Sequence, residues 1–146
     1  MFTVEASVDI DAPPDRVWAV LLDLPRYRDW NTLLVHLEGE PVLGQRITLR
    51  LAPPAGRAYT FRPVVTSHRP PERFAWKAVT AVPGIFDGEH VFELSALPDG
   101  RTRLRNREVY SGLLSALMRR LPAMRDAQPG FERMNAELKQ RTEQRS

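Results

Sequence analysis

Three polar residues stand on otherwise apolar faces of two neighbouring segments. In 86–94, Phe86, Phe92 and Leu94 share a face with His90, while Asp87, Glu89 and Glu93 take the other. In 101–110, Leu104 and Tyr110 share a face with Asn106 and Glu108, and Arg101, Arg103, Arg105 and Arg107 lie opposite. The turn Pro98-Asp99-Gly100 joins the two segments into a hairpin. A register that pairs Leu94 with Leu104 sets Phe92 opposite Asn106 and His90 opposite Glu108. An imidazole beside a carboxylate in apolar surroundings can move protons as a general acid and base. The same pair can orient the polar end of a ligand, or simply satisfy its own hydrogen bonds, as buried polar groups usually do. A register shifted by two residues would keep the faces and separate the pair.

Other chemistries lack their residues. The chain has no cysteine, so disulfides, thiolate metal sites and cysteine nucleophiles are excluded. His36, His68 and His90 are far apart and sit in no metal-binding spacing, so no metal is expected. No Gly-x-Ser-x-Gly elbow, phosphate loop or dinucleotide fingerprint occurs, and no cofactor is expected.

The hairpin needs a scaffold, and the periodicities supply one. Phe2, Val4, Ala6, Val8 and Ile10 alternate with Thr3, Glu5, Ser7 and Asp9, which predicts a half-buried first strand. Proline then permits a short helix from about Pro14 to Leu22, and Pro25 starts a second short helix or turn toward Trp30. From Leu33 to Arg107, strands follow one another between turns at 38–41, 53–56, 69–72 and 98–100. In these strands Ile47, Leu49 and Leu51 alternate with Arg46, Thr48 and Arg50, and Phe74, Trp76 and Ala78 with Arg73, Ala75 and Lys77. Beyond Gly112 the period turns helical. Leu113, Leu114, Leu117 and Leu121 begin an apolar stripe that Phe131, Met134 and Leu138 resume, with a kink expected at Pro122 and at Pro129-Gly130. The natural packing is a curved antiparallel sheet with its apolar face against this helix.

Composition bounds the rest. With 146 residues, 42% apolar and 27% charged, the chain reads as a single domain over 1–146. Its 21 basic residues against 18 acidic ones leave a formal charge of +3. Glu93 would face Arg105 across the hairpin, with Asp87 and Glu89 near Arg107, so the arginine row reads as a neutralised charge ladder and no nucleic-acid partner is expected. No apolar run is long enough to span a membrane and no targeting segment is visible, which makes the cytoplasm the expected compartment.

Four segments, taken in order, resemble the START-like, pollen-allergen and polyketide-cyclase superfamily (SRPBCC). They are Val17 to Asn31, where a tryptophan-bearing helix leads to a Trp-Asn pair; Pro83 to Leu94; Glu108 to Leu114; and Gly130 to Lys139. The resemblance implies an α+β helix-grip fold: a seven-stranded curved antiparallel sheet wrapped around a long C-terminal helix, with two short helices after the first strand. It also implies an apolar cavity between sheet and helix. Trp30, Phe61, Trp76, Phe86, Phe92, Tyr110 and Phe131 are then candidates to line the cavity, Met134 and Leu138 would close it from the helix, and Trp18 reads as core. His90, Asn106 and Glu108 would orient the polar end of a hydrophobic ligand of lipid, polyketide or aromatic type. The alternative is an enzyme of the cyclase or aromatase type, with His90 and Glu108 as its acid-base pair. A protein-interaction module of the co-chaperone kind ranks third, and either a monomer or a homodimer is compatible with the family.

Overall fold

The alternation of the first ten residues is realised as strand β1 (Phe2–Ile10), which buries Ala6 and Ile10. The computed structural model describes residues 1–53, 56–79, 82–125 and 127–144. Pro14 opens helix α1 (Pro14–Leu21), at a position where the missing N–H has no helical partner to lose. A 3-10 helix at Leu24–Asp29 follows, with Pro25 in its first turn. Tyr27 of that helix is fully buried, and its hydroxyl donates to the Leu21 carbonyl at 2.6 Å, tying the two short helices together.

Seven further strands complete the sheets: β2 (Leu34–Glu38), β3 (Thr48–Leu51), β4 (Tyr59–Phe61), β5 (Val64–Arg69), β6 (Arg73–Val79), β7 (Asp87–Ala96) and β8 (Thr102–Ser111). They form a five-stranded sheet, β1-β8-β7-β6-β5, and a three-stranded sheet, β2-β3-β4, antiparallel throughout. The expected single seven-stranded sheet is thus corrected to five plus three. One residue accounts for the difference. β4 and β5 would be one strand if Arg62 and Pro63 did not stand between them, and proline has no N–H to donate to a ladder. What joins the sheets is a short run of bonds: Ile47 N–H to Pro63 carbonyl at 3.0 Å, and Gly44 N–H to Val65 carbonyl and Val65 N–H to Gln45 carbonyl at 2.9 Å. Past Val64–Lys77, the terminal pair of β5 and β6, no strand pairing among the described residues joins β6 to the smaller sheet.

After Gly112 the expected single helix is three: α2 (Ser115–Met118), α3 (Pro122–Arg125) and α4 (Ala127–Glu143). Pro122 opens α3 because it cannot continue the ladder of α2. Pro129 breaks nothing, since it falls in the first turn of α4, where backbone N–H groups have no helical acceptor. The stripe Leu113, Leu114, Leu117 and Leu121 is also corrected. These leucines are exposed, Leu113 by 83% and Leu117 by 60%, and a one-turn helix is too short to lay a face on the sheet. α4 does pack, burying Phe131, Met134, Asn135, Leu138 and Thr142. No helix among the described residues is long and apolar enough to cross a membrane.

The outer face of the large sheet carries ion pairs. Arg103 and Arg105 on β8 grip Asp9 and Glu5 on β1 through paired contacts of 2.8–3.1 Å, and Arg73 and Arg107 converge on Glu93. Arg107 therefore reaches Glu93 and not Asp87 or Glu89. Asp87 is buried and accepts from the Gly84 N–H, and Glu89 accepts from the Thr66 hydroxyl.

Candidate functional site

The register of β7 and β8 pairs Leu94 with Leu104, Phe92 with Asn106 and His90 with Glu108. All three pairs project toward α4 and the interior. His90 is buried, with Trp76, Phe92 and Phe131 ring centroids 5.1, 4.5 and 5.1 Å from its own. Its Nε2 lies 2.5 Å from Asn106 Oδ1, and its Nδ1 lies 3.0 Å from Glu108 Oε2. Asn106 in turn donates through Nδ2 to Asn135 Oδ1 at 3.0 Å, with Met134 Sδ at 3.7 Å. Four side chains thus form a line from the sheet surface to α4: Glu108, His90, Asn106, Asn135.

Donors and acceptors along this line constrain the proton. Asn106 gives both its amide hydrogens' direction to α4, so Oδ1 accepts and His90 Nε2 donates. A lone pair on Nδ1 would then face the Glu108 carboxylate at 3.0 Å, and the contact is attractive only when a proton sits on Nδ1 or on Glu108. The approach is an ion-pair contact without hydrogen-bond alignment. Glu108 Oε2 is accordingly a buried acceptor that has no hydrogen bond among the described residues.

Gly88 makes room for that carboxylate. A Cβ at this position would lie 2.7 Å from Glu108 Oε1 and 3.5 Å from the Tyr110 ring. The glycine inside β7 is therefore a site of close approach, one of the usual reasons for glycine in a strand.

Beside the pair lies a cavity of about 200 Å³. Of the aromatic and polar residues expected around it, Phe61, Trp76, Phe86, His90, Glu108, Tyr110 and Phe131 line it. Trp30, Phe92, Asn106, Met134 and Leu138 lie outside its wall. Trp30 packs on Tyr27 at 4.7 Å instead, and Phe92, Asn106, Met134 and Leu138 are buried between the large sheet and α4. Leu34, Leu49, Leu51 and Tyr59 of the small sheet complete the wall, and Met124 of α3 replaces Met134 and Leu138 as its methionine and aliphatic cover.

Two phenols face Glu108. Tyr110 stacks between Phe2 and Phe86, at 4.8 and 5.5 Å, and its burial pushes its hydroxyl well above the usual tyrosine range, with the Glu108 charge and Tyr59 adding to the shift. Tyr59 shifts in the same direction, through burial first and Glu108 second. Both phenols thus stay protonated and can donate.

The model of the family described as polyketide cyclase / dehydrase and lipid transport matches residues 1–143. The chain belongs to this family. Its fold recurs in solved structures of low identity. A START superfamily protein from Mycobacterium smegmatis is 16% identical, with 99% of each chain covered and a TM-score of 0.74. The ZhuI aromatase/cyclase from Streptomyces sp. R1128 is 21% identical over 99% of this chain and 94% of that one, with a TM-score of 0.70. The Aha1 dimer from Colwellia psychrerythraea is 18% identical over 98% and 97%, with a TM-score of 0.71. No curated protein matches. The family and the fold agree with the SRPBCC resemblance, and at these identities the solved structures carry the fold alone.

The sequence reading did not include Asn135 or Gly88. Asn135 had a signal, since it lies four residues after Phe131 on the buried stripe of α4. Gly88 had one too, as a glycine within an otherwise regular strand.

Proposed function

We propose that this protein binds a small hydrophobic molecule in the cavity and that Glu108, backed by His90, takes the ligand's polar donor. The observation that supports this reading is the buried Glu108 Oε2, an acceptor that has no hydrogen bond among the described residues and stands beside an aromatic wall. A stranded buried acceptor costs free energy that a ligand hydroxyl or N–H would recover. The volume selects the size. About 200 Å³ exceeds the roughly 150 Å³ that accepts benzene in an apolar protein cavity, and falls short of drug-sized pockets of ~300–1,000 Å³. A one- or two-ring aromatic, or one segment of an acyl chain, fits. Calorimetry with 2-naphthol and naphthalene tests the reading. The naphthol should bind the tighter, and Glu108→Leu should remove roughly 10-fold or more of its affinity while leaving naphthalene unchanged. Absence of binding by either compound, or equal binding that ignores Glu108→Leu, would overturn it.

A second reading is acid-base catalysis by the same pair. The His90–Asn106 bond supports it, because it leaves Nδ1 as the ring nitrogen beside Glu108, 3.0 Å away at the cavity. Such a pair contributes ~10²–10⁴-fold when it acts on a bound carbon acid. Exchange of the α-protons of 2-tetralone in D₂O, followed by NMR, reads this out. Wild type should accelerate the exchange and His90→Ala should not; exchange at the solvent rate in wild type excludes the role.

A further inference from the structure

Leu113, Leu114, Leu117 and Leu121 are 42–83% exposed, the densest run of large apolar side chains on the described surface. Elsewhere among the described residues such side chains are exposed singly or as the pair Val42 and Leu43. The backbone fixes this display. The Leu113 N–H donates to the Gly84 carbonyl and the Leu114 N–H to the Ile85 carbonyl, each at 2.9 Å, which pins the start of the turn to the loop before β7. Gly112 permits the contact, since its φ is +107° and a Cβ there would stand 2.5 Å from the Ile85 carbonyl oxygen. α2 then turns its serine, Ser115, inward and Leu117 outward, the reverse of a helix that packs on a core.

Charge in this segment has one sign. Between Glu108, which lines the cavity, and Asp126, the sequence holds Arg119, Arg120 and Arg125 and no carboxylate. Arg119 and Arg120 are exposed, and the Arg119 guanidinium carbon lies 5.8 Å from the centroid of the Phe2 ring. Bonds from the Arg120 N–H to the Leu117 carbonyl and from the Leu121 N–H to the Met118 carbonyl carry the coil past α2, which sets Arg120 in line with Leu117. On the outer sheet, by contrast, Arg73, Arg103, Arg105 and Arg107 each face a carboxylate.

We propose that the turn from Leu113 to Leu121 docks on the surface of an anionic lipid bilayer, its leucines entering the boundary between headgroups and acyl chains while Arg119 and Arg120 meet the anionic headgroups. An interfacial element needs apolar tips beside cations and no partner of matching shape, and this turn has both. The contact is with one face of the bilayer, since no helix among the described residues is long and apolar enough to cross it. A second copy of the chain fits less well. A two-fold contact sets the patch against itself, so the arginines of one copy would meet those of the other with no carboxylate in the segment to pair them. None of the four leucines lines the cavity, so docking here does not depend on the ligand reading.

Sedimentation with vesicles tests this at low salt, using phosphatidylcholine alone and an equal mixture with phosphatidylglycerol. The protein should bind the mixed vesicles at least about tenfold more tightly than the neutral ones, and added salt should erase the difference. The double variant Leu113→Gln, Leu117→Gln should weaken binding to the mixed vesicles about tenfold or more. Arg119→Glu, Arg120→Glu should do the same and leave the neutral vesicles unaffected. All four positions are exposed, and unchanged thermal unfolding curves confirm that the variants fold. Failure of wild type to bind the mixed vesicles overturns the proposal, as does binding that ignores the leucine variant. Analytical ultracentrifugation supplies the other arm. A wild type that self-associates while the leucine variant stays monomeric also overturns the proposal, and gives the patch to a second copy.

Discussion

Asn106→Leu is the sharpest perturbation of the buried line. Leucine shares asparagine's branched skeleton and is the larger side chain, so the substitution opens no cavity and removes the hydrogen bonds. It strands the His90 Nε2–H and the Asn135 Oδ1, both buried. Each stranded group costs ~1–3 kcal/mol, so the free energy of unfolding should fall by about 2–6 kcal/mol, out of the ~5–15 kcal/mol of an ordinary domain. The corresponding loss in Tm is roughly 5–15 °C for a chain of this size. Urea titration followed by tryptophan fluorescence measures it, since the Trp76 ring lies tilted against His90 with centroids 5.1 Å apart. Adding Asn135→Leu should then cost less than it does in the wild-type background. Among the described residues Asn135 Nδ2 has no hydrogen-bond partner already, and once Asn106 is gone its Oδ1 has none there either. The double-mutant cycle should show at least ~1 kcal/mol of coupling. An Asn106→Leu cost below about 1 kcal/mol, or strict additivity, would refute the claim that these bonds hold the line together.

Gly88→Ala should leave stability within about 1 kcal/mol, because alanine's advantage over glycine in a strand offsets the displaced carboxylate. It should also abolish the Glu108-dependent preference for 2-naphthol, which a binding titration reads, since the new Cβ needs the place of Glu108 Oε1. Acidification should lower stability. Hydrogen bonds from Arg105, Arg103, Arg101 and Lys139 hold Glu5, Asp9, Asp99 and Glu143 below the ordinary carboxylate range. Their contribution is therefore complete above about pH 4.5 and is lost as pH falls through the depressed folded values. A Tm series against pH should fall there, less steeply in high salt. Leu117→Gln should change stability by less than about 0.5 kcal/mol in the same urea assay, because Leu117 is exposed and not part of the core.

Local rules made much of this molecule legible. The hairpin register followed from one turn and two alternations, so the His90–Glu108 pair was readable before any coordinates. The strand break was not, because a proline between two short polar segments reads equally well as a turn or as an interruption within one strand. Only the partner ladder, Gly44 to Ile47 against Pro63 to Val65, distinguishes them. The exposed leucines misled for a related reason. A helical stripe states that a face is apolar, and it does not state that anything lies opposite; α2 is one turn long and buries Ser115 alone. Trp30 shows the limit for single residues, since its indole was equally suited to the cavity and to the place it takes on Tyr27.

The pairing of β1 with β8 has a consequence in time. Phe2 lies beside Tyr110 and Ile10 beside Thr102, and the Glu5–Arg105 bridge spans 100 residues of chain. β1 is synthesised well before β8 and thus waits for it before it can pair. Folding of such a non-local closure is slow relative to the local β7–β8 hairpin. Until it closes, the alternate apolar residues of β1 stand open to other chains, and the carboxylates Glu5 and Asp9 on its other face are the charges that keep it apart from them.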